Sequence, residues 1–284
     1  MKAIFSYFKI ARLDHWIKNI LLFVPLVFSL ELFNLDALAL TAIAFISFCS
    51  ASSAVYILND VIDEKTDLIH PIKKNRPIAS GAITKINAII YAALLIIMGL
   101  LGSLHINALT CVFILIYLLL NILYSIFFKK QPIFDCFCIA AGFLLRVYAG
   151  GAASGSIVSD WLFLTIVSMS LFMAFGKRRG ELINIGDTST RTVLEHYNLG
   201  FLKGIVFICA GLTIVFYALW AMDRGFNMIY TVPLAIFIIM KYLLLIQKPE
   251  SHGDPTTVIF TDKTLLGAVG VFCVITIALL YGGM

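Results

Sequence analysis

The sequence predicts an all-α membrane protein, a polytopic bundle of about nine transmembrane helices that forms a single domain over residues 1–284. Apolar residues make up 61% of the chain and charged residues 13%, and the mean hydropathy is +0.99. Soluble domains are about half apolar and a quarter charged. Apolar runs of about 18 residues or more also recur, and a helix of that length crosses the hydrocarbon layer with its backbone hydrogen bonds made internally.

Nine segments fit this pattern, with limits that hold to within several residues. They are 17–33, 37–58, 86–104, 108–128, 132–152, 161–175, 199–222, 228–246 and 264–281. Basic residues before the first segment resemble the start of a signal peptide, but no small-residue cleavage pattern follows and Glu31 interrupts the run. We therefore expect a retained helix, preceded by an interfacial stretch that contains Trp16.

The basic residues predict the orientation in the membrane. Nearly all Lys and Arg residues lie in the N-terminal arm and in alternate connections, whereas the other connections contain only Arg224. Because Lys and Arg near span ends stay on the cytoplasmic side, the N-terminus is expected inside. The six cysteines lie in apolar runs without a Cys-x-x-Cys pair, and the five histidines form no zinc pattern. A zinc site, a disulfide framework and a nucleic-acid partner are not expected.

An acidic run, N-D-V-I-D-E-K-T-D at residues 59–67, follows the second segment. One helix face is expected to carry Ser52, Tyr56, Asn59 and Asp63, with Asp60 and Asp67 on either side. Carboxylates gathered at a membrane edge repel one another unless a cation joins them, and oxygen ligands without Cys or His select Mg²⁺. Asp60, Asp63 and Asp67 are therefore predicted to be metal ligands and catalytic. The alternative is a solvated acidic loop.

A basic segment, H-P-I-K-K-N-R-P-I-A-S-G at residues 70–81, comes directly after these carboxylates. It contains three cations, among them Lys73 and Arg76, and two prolines that stop a helix. Bound magnesium and fixed cations together bind diphosphate. The two runs therefore predict a magnesium-diphosphate site.

Residues 59–81 together resemble the first aspartate-rich motif of the UbiA superfamily of intramembrane prenyltransferases. The resemblance implies nine helices, a diphosphate bound through Mg²⁺, and a substrate contact for Asn59. The chain departs from the superfamily after the sixth segment, where most members carry a second aspartate-rich motif. F-G-K-R-R-G-E-L stands at 175–182 instead. Three cations and one Glu suit additional phosphate groups better than a second metal, although a topogenic basic cluster is the alternative.

Further stretches resemble the decaprenyl-phosphate phosphoribosyltransferase branch of that superfamily. These are W-I-K-N at 16–19, N-I-L-Y-S at 121–125, Lys129, Asp135, G-F-L-L-R at 142–146, and the region of Asp254, Pro255 and Asp262. The branch implies transfer of a phosphoribosyl group from phosphoribosyl diphosphate to a polyprenyl phosphate at the cytoplasmic face of a prokaryotic inner membrane. The substrate-binding residues expected from the motifs are Lys18, Asn59, Lys73, Arg76, Asn121, Tyr124, Lys129, Asp135, Arg146, Lys177, Arg178 and Glu181.

Two of these residues have a second interpretation. Arg146 follows Asp135 with helical spacing and is expected near mid-membrane, where a charge binds either an anion in a cavity or a structural partner. Tyr124 contacts ribose or phosphate, or it belongs to an interfacial aromatic belt.

Two other functions are left open by the sequence. One is a prenyltransferase that moves an isoprenyl group to an aromatic or quinone-precursor acceptor, and the other is a transporter of a phosphorylated or lipid-linked solute. The substituted second motif disfavours the first, and the lack of an internal repeat disfavours the second. The sequence does not determine the oligomeric state, and a homo-oligomer is compatible with it.

Overall fold

The computed structural model describes residues 2–71, 73–183, 192–225, 227–247 and 255–282. Within these ranges all regular structure is helical. The α-helices are α1 Lys2–Ala11, α2 Val24–Phe28, α3 Leu35–Ile69, α4 Lys85–Ile106, α5 Ala108–Ile126, α6 Phe134–Ser154, α7 Asp160–Ile183, α8 Leu199–Arg224, α9 Val232–Ile246, α10 Pro255–Thr261 and α11 Lys263–Tyr281. Short 3₁₀ helices cover Leu13–Phe23, Lys73–Asn75, Phe128–Lys130, Thr192–His196 and Met228–Thr231.

The predicted class, an all-α membrane bundle, is confirmed. Among the described residues, eight helical stretches are long and apolar enough to cross a membrane: α3 to α8, Met228–Ile246 and α11. The first predicted segment, 17–33, is built from the 3₁₀ helix Leu13–Phe23 and the short helix α2. Pro25 lies in the first turn of α2, where its missing N–H costs nothing, and Leu30 after α2 has a left-handed φ of 65°.

Helix α3 continues beyond its predicted end at residue 58 and carries the whole acidic run in its last turns. The side chain of Asn34 caps its start by accepting the N–H groups of Asp36 and Ala37. No Gly or Pro interrupts it before Pro71, which restricts the preceding residue and ends the helix. Because Asp60 and Asp67 are seven residues, about two turns, apart on one continuous helix, their side chains share a face.

The chain divides into two compact units. The first comprises residues 1–128 and 145–157, and its apolar core includes Phe48, Ile57 and Ile114. The second comprises residues 129–144 and 158–284, and its core includes Phe172 and Leu202. A single functional domain over residues 1–284 stays a prediction.

Gly150 on α6 permits a close backbone approach to the 3₁₀ helix Leu13–Phe23. A Cβ atom at this position would lie 1.9 Å from the carbonyl oxygen of Leu22. We expect Gly150→Ala to lower the free energy of unfolding by about 1–3 kcal/mol, because an overpacked contact forces the backbone to shift. Thermal unfolding in detergent measures the loss. Gly204→Ala on α8 is the control, since a Cβ there meets nothing within 4 Å; equal behaviour of the two variants would contradict the prediction.

Candidate active site

A pair of buried carboxylates at the end of α3 forms the centre of the first polar site. Asp60 and Asp67 are each 3% exposed. Arg76 Nη1 donates a hydrogen bond to Asp60 Oδ1 at 3.0 Å and another to Asp67 Oδ2 at 2.6 Å. One guanidinium nitrogen therefore lies between two carboxylate groups. The structure brings together three of the residues that the sequence predicted for the diphosphate site.

The loop after α3 is held by its own hydrogen bonds, which fix the position of Arg76. The N–H of Arg76 donates to the Lys73 carbonyl at 2.9 Å, and its carbonyl accepts from the N–H of Ser80 at 2.8 Å. Gly81 takes the left-handed φ of 74° that the following turn requires. Lys85 at the start of α4 forms an ion pair with Glu64 on α3. The basic segment is thus folded back onto the carboxylates.

Arg12 belongs to the same site, although it was not among the site residues that the sequence predicted. Its Nη2 atom donates to Asp60 Oδ1 at 2.5 Å, and its guanidinium carbon lies 5.0 Å from the centre of the Tyr56 ring. Arg12 stands at the break between α1 and the 3₁₀ helix Leu13–Phe23, with a left-handed φ of 50°. Because 48 residues separate it from Asp60 in sequence, no periodic pattern links the two.

The donor set at this site suits a divalent cation that is bound together with a phosphate. The two carboxylates converge on one position, which is occupied by the Nη1 atom of Arg76. Mg²⁺ in proteins is commonly bound by one or two carboxylates together with substrate phosphates. Asp63 is half-buried on the turn between them. Among the described residues no three or more His, Cys, Asp or Glu side chains gather as a metal site. The structure therefore assembles a pair of carboxylates, and the metal role of Asp63 stays a prediction.

Other predicted substrate ligands of the first unit lie on α3, on α5 and on the 3₁₀ helices Leu13–Phe23 and Lys73–Asn75. Asn59 Oδ1 accepts a hydrogen bond from Ser125 Oγ at 2.5 Å, and Asn121 Nδ2 donates to the Tyr117 carbonyl at 2.8 Å. Half-buried side chains are found at Lys18, Lys73 and Tyr124, and also at Lys129 and Lys177 in the second unit. Their substrate contacts stay predictions.

His70 caps the end of α3 and supports the start of the basic loop. Its Nδ1 atom accepts the N–H of Lys73 at 3.3 Å. Partial desolvation, with the Lys73 cation as the next cause, lowers the pKa of His70 below its usual value. The imidazole is therefore neutral at pH 7 and able to accept this bond.

Arg146 lies inside the first unit, where it is 6% exposed. Its Nε atom donates to Asn19 Oδ1 at 2.7 Å, and its Nη2 atom donates to the Tyr117 hydroxyl at 3.2 Å. The guanidinium carbon is 5.0 Å from the centre of the Phe48 ring and 4.8 Å from that of Tyr117. These contacts join α6 to α5, α3 and the 3₁₀ helix, which supports the structural interpretation of Arg146.

A second polar group lies within the second unit. Asp135 is fully buried and Arg178 is 1% exposed. Arg178 donates to two carboxylates, from Nε to Asp135 Oδ2 and from Nη1 to Glu181 Oε2, both at 2.6 Å. The structure therefore brings Asp135, Arg178 and Glu181 together, as the motifs could not have indicated. Arg178 as a phosphate ligand stays a prediction, and its guanidinium is engaged by these carboxylates.

Tyr197 completes this group and was missed in the sequence. Its hydroxyl donates to Asp135 Oδ1 at 2.8 Å and accepts the N–H of Ile133 at 2.6 Å. Ile133 has a left-handed φ of 70°, an unfavourable conformation for a β-branched residue, at the turn that starts α6. Burial raises the pKa of Tyr197 well above its usual value, so the hydroxyl keeps its proton.

We expect Tyr197→Phe to lower the free energy of unfolding by about 1–3 kcal/mol, because the buried carboxylate of Asp135 and the N–H of Ile133 each lose a partner. Urea or thermal unfolding in detergent measures this. Tyr230→Phe is the matched control, since the Tyr230 side chain lies at the surface and is 73% exposed. A Tyr197→Phe protein as stable as the control would contradict the role assigned to the hydroxyl.

The fold and the buried acidic pair define a class: an integral membrane protein of helical type that carries a charged site at the end of a spanning helix. The particular family follows from sequence. The chain belongs to the UbiA prenyltransferase family, whose model matches residues 21–263. The predicted resemblance is thereby confirmed, and the protein is a transferase of this family.

Named relatives and solved structures agree with this assignment. The chain is 34% identical over 284 residues to decaprenyl-phosphate phosphoribosyltransferase of Corynebacterium glutamicum, covering 94% of this chain and 85% of that one. The protein of the same name from Mycolicibacterium smegmatis is 35% identical over 222 residues, covering 76% and 70%. A UbiA homologue from Archaeoglobus fulgidus bound to GPP and Mg²⁺ matches with a TM-score of 0.77 and 16% identity, covering 97% and 99%. This structural likeness shows the fold.

Proposed function

We propose that this transferase moves a 5-phosphoribosyl group from phosphoribosyl diphosphate to a polyprenyl phosphate and releases diphosphate in a Mg²⁺-dependent reaction. The donor and acceptor classes are supported by the decaprenyl-phosphate phosphoribosyltransferases, which match most of the chain. A Mg²⁺ ion is supported by the UbiA homologue bound to GPP and Mg²⁺.

One observation carries the proposal: the carboxylates of Asp60 and Asp67 converge on a single cation, the Arg76 guanidinium, beside the Arg12 guanidinium. Buried carboxylates and partly exposed cations in one place can bind a metal ion on one side and an anion on the other. A metal-bound diphosphate requires this combination of charges. A phosphate without a metal would be repelled by the two carboxylates.

The chain's own residues supply binding and charge stabilisation. Asp60 and Asp67 would hold the Mg²⁺ ion, and Asp63 is the third predicted ligand. The ion, when bound, neutralises the diphosphate and so makes it a better leaving group. Arg76 and Lys73 bind the phosphate oxygens and stabilise the charge that builds up as the bond to the anomeric carbon breaks. The acceptor phosphate is anionic at neutral pH, so the reaction requires no general base.

We further propose that the site faces the cytoplasm of a prokaryotic inner membrane, with the N-terminus inside. The N-terminal arm and the connections between the predicted spans 2 and 3, 4 and 5, 6 and 7, and 8 and 9 hold nearly all of the basic residues. Phosphoribosyl diphosphate is a charged, water-soluble donor that would reach such a site from the cytoplasm. Cysteine labelling at Lys74 and at Asn227, which lie outside the spans, with a membrane-impermeant reagent tests the orientation, because the two positions should react on opposite sides.

Product analysis tests the reaction itself. Purified protein is incubated with Mg²⁺, a polyprenyl phosphate and phosphoribosyl diphosphate, and the lipids are examined by mass spectrometry. We expect a polyprenyl phosphate that has gained one phosphoribosyl group, and loss of this product when Mg²⁺ is chelated. Prenylation of an aromatic acceptor by an isoprenyl diphosphate, without phosphoribosyl transfer, would contradict the proposal. Solute uptake into reconstituted vesicles without chemical conversion would contradict it as well.

A further inference from the structure

We propose that Arg12 and Arg76 are internal counter-ions that occupy Asp60 and Asp67 in the free enzyme, and that they move to the diphosphate when a metal ion takes their place. This inference rests on the proposed function and concerns how the site fills. It assigns Arg12, which no sequence motif identified, to the binding of diphosphate. It also predicts that the metal ion and the diphosphate depend on each other for binding.

The order of the charges supports this exchange. Arg12, Asp60, Arg76 and Asp67 form a chain of alternating sign, in which Asp60 Oδ1 accepts hydrogen bonds from both arginines. A divalent ion needs the same carboxylate oxygens as ligands. A divalent ion on these oxygens would lie close to the guanidinium charges, and the repulsion between them favours the departure of at least one arginine.

Exposure determines which groups can move. The side chains of Asp60 and Asp67 are 3% and 5% exposed, whereas those of Arg12 and Arg76 are 23% and 27% exposed. The carboxylates are fixed on a continuous helix, and the arginines come from the α1 break and from the loop after α3. The long arginine side chains can therefore turn away from the buried carboxylates toward a ligand on the exposed side.

Charge balance makes the exchange cooperative. Metal binding alone replaces a single positive charge with a double one and leaves a displaced guanidinium without an anion. A bound diphosphate supplies several negative charges and oxygens in the geometry that guanidinium groups bind well. Each ligand should therefore strengthen the binding of the other by the same factor, within the usual range of about 5- to 150-fold.

The test measures metal binding directly, without turnover. Mn²⁺ replaces Mg²⁺, inorganic diphosphate replaces the donor, and the electron paramagnetic resonance signal of free Mn²⁺ reports binding to the detergent-solubilised protein. We expect wild-type protein to bind Mn²⁺ weakly alone and at least about fivefold more tightly with diphosphate. In Arg12→Gln, Mn²⁺ affinity without diphosphate should rise about tenfold, because a competing charge is gone. The strengthening by diphosphate should shrink to about twofold or less.

Two further variants keep the result decisive. Lys85→Gln removes a cation that is paired with Glu64, outside the carboxylate pair, and should leave both affinities unchanged. Arg12→Lys keeps the positive charge but cannot form two parallel hydrogen bonds to a phosphate. It should bind Mn²⁺ as weakly as wild type does, and diphosphate should increase its Mn²⁺ affinity less than in wild type. It also replaces Arg12→Gln if that variant does not fold.

The outcomes separate the inference from the proposed function. A wild-type protein that binds no Mn²⁺ even with diphosphate would contradict both. Normal wild-type binding, together with an Arg12→Gln protein whose Mn²⁺ affinity without diphosphate is unchanged or lower, would overturn the exchange alone. In that case Arg12 has a structural role only.

Discussion

Asp67→Asn should lower turnover by about a thousandfold or more while the protein stays folded in detergent. Asparagine has nearly the same size and still accepts a hydrogen bond from Arg76, so the end of α3 keeps its packing. The lost negative charge weakens the metal site, and metal ions contribute several kcal/mol to such reactions, where 1.36 kcal/mol corresponds to a factor of ten in rate. Phosphoribosyl transfer at saturating substrate and Mg²⁺ measures the effect, and Asp60→Asn should behave in the same way.

Glu64→Gln is the matched control for these variants. Glu64 lies on the same helix between the two aspartates, but its carboxylate is paired with Lys85. Its replacement should leave turnover within about twofold of wild type, since exposed ion pairs contribute little. Asp63→Asn then tests the third predicted ligand: a loss as large as that of Asp67→Asn would confirm it. Near-normal turnover of Asp67→Asn would remove the metal assignment for the whole pair.

Arg178→Met should lower the free energy of unfolding by about 3–5 kcal/mol, which is the usual cost of removing one partner of a buried ion pair. Asp135 has no exposed surface, so its carboxylate would lose the Arg178 cation and keep the hydrogen bond from the Tyr197 hydroxyl. The loss should appear as a lower unfolding temperature in detergent. Activity normalised to folded protein should stay close to that of wild type, because the effect acts on folding.

Two comparisons identify the cause of this loss. Asp135→Asn combined with Arg178→Met should be less destabilised than the sum of the single variants, because no buried charge is left uncompensated. Arg179→Met removes the neighbouring arginine, whose Nη1 atom donates to the Ile246 carbonyl at 3.0 Å, and should cost only about 0.5–1.5 kcal/mol. Equal losses in the free energy of unfolding for Arg178→Met and Arg179→Met would mean that the burial of the Arg178–Asp135 ion pair does not cause the larger loss expected for Arg178→Met.

The two polar groups give the substituted second motif a physical meaning. Where most family members are expected to carry carboxylates for a second metal, the cation at position 178 is bound by Asp135 and Glu181. The carboxylates of this group thus have a partner within the chain. The phosphate-binding role predicted for this segment therefore depends most on Lys177, whose side chain is half-buried. Lys177→Ala should raise the Michaelis constant for one of the phosphorylated substrates.

The lengths of the apolar runs were sufficient to locate the membrane spans but not to predict where each helix ends. Segments such as 86–104 and 108–128 are close to α4 and α5, because helix length in a membrane follows from apolar run length. By the same criterion the second segment was predicted to end at residue 58, because the charged residues that follow normally mark the end of a span. The structure continues the helix to Ile69, because no residue before Pro71 opposes it. Asp254 lies outside the described residues.

Composition and motif order determined the membrane class, the family and an acidic run with Asp60, Asp63 and Asp67, because these follow from residues that are close together in the sequence. The structure then showed that Asp60 and Asp67 converge on Arg76. Only the tertiary structure showed that Arg12 reaches Asp60, that Tyr197 supports Asp135, and that Arg178 is bound to carboxylates. The contacts of Arg12 with Asp60, of Arg178 with Asp135 and of Tyr197 with Asp135 join residues 43 to 62 positions apart. Such pairings follow from how helices pack, and no local periodicity encodes them.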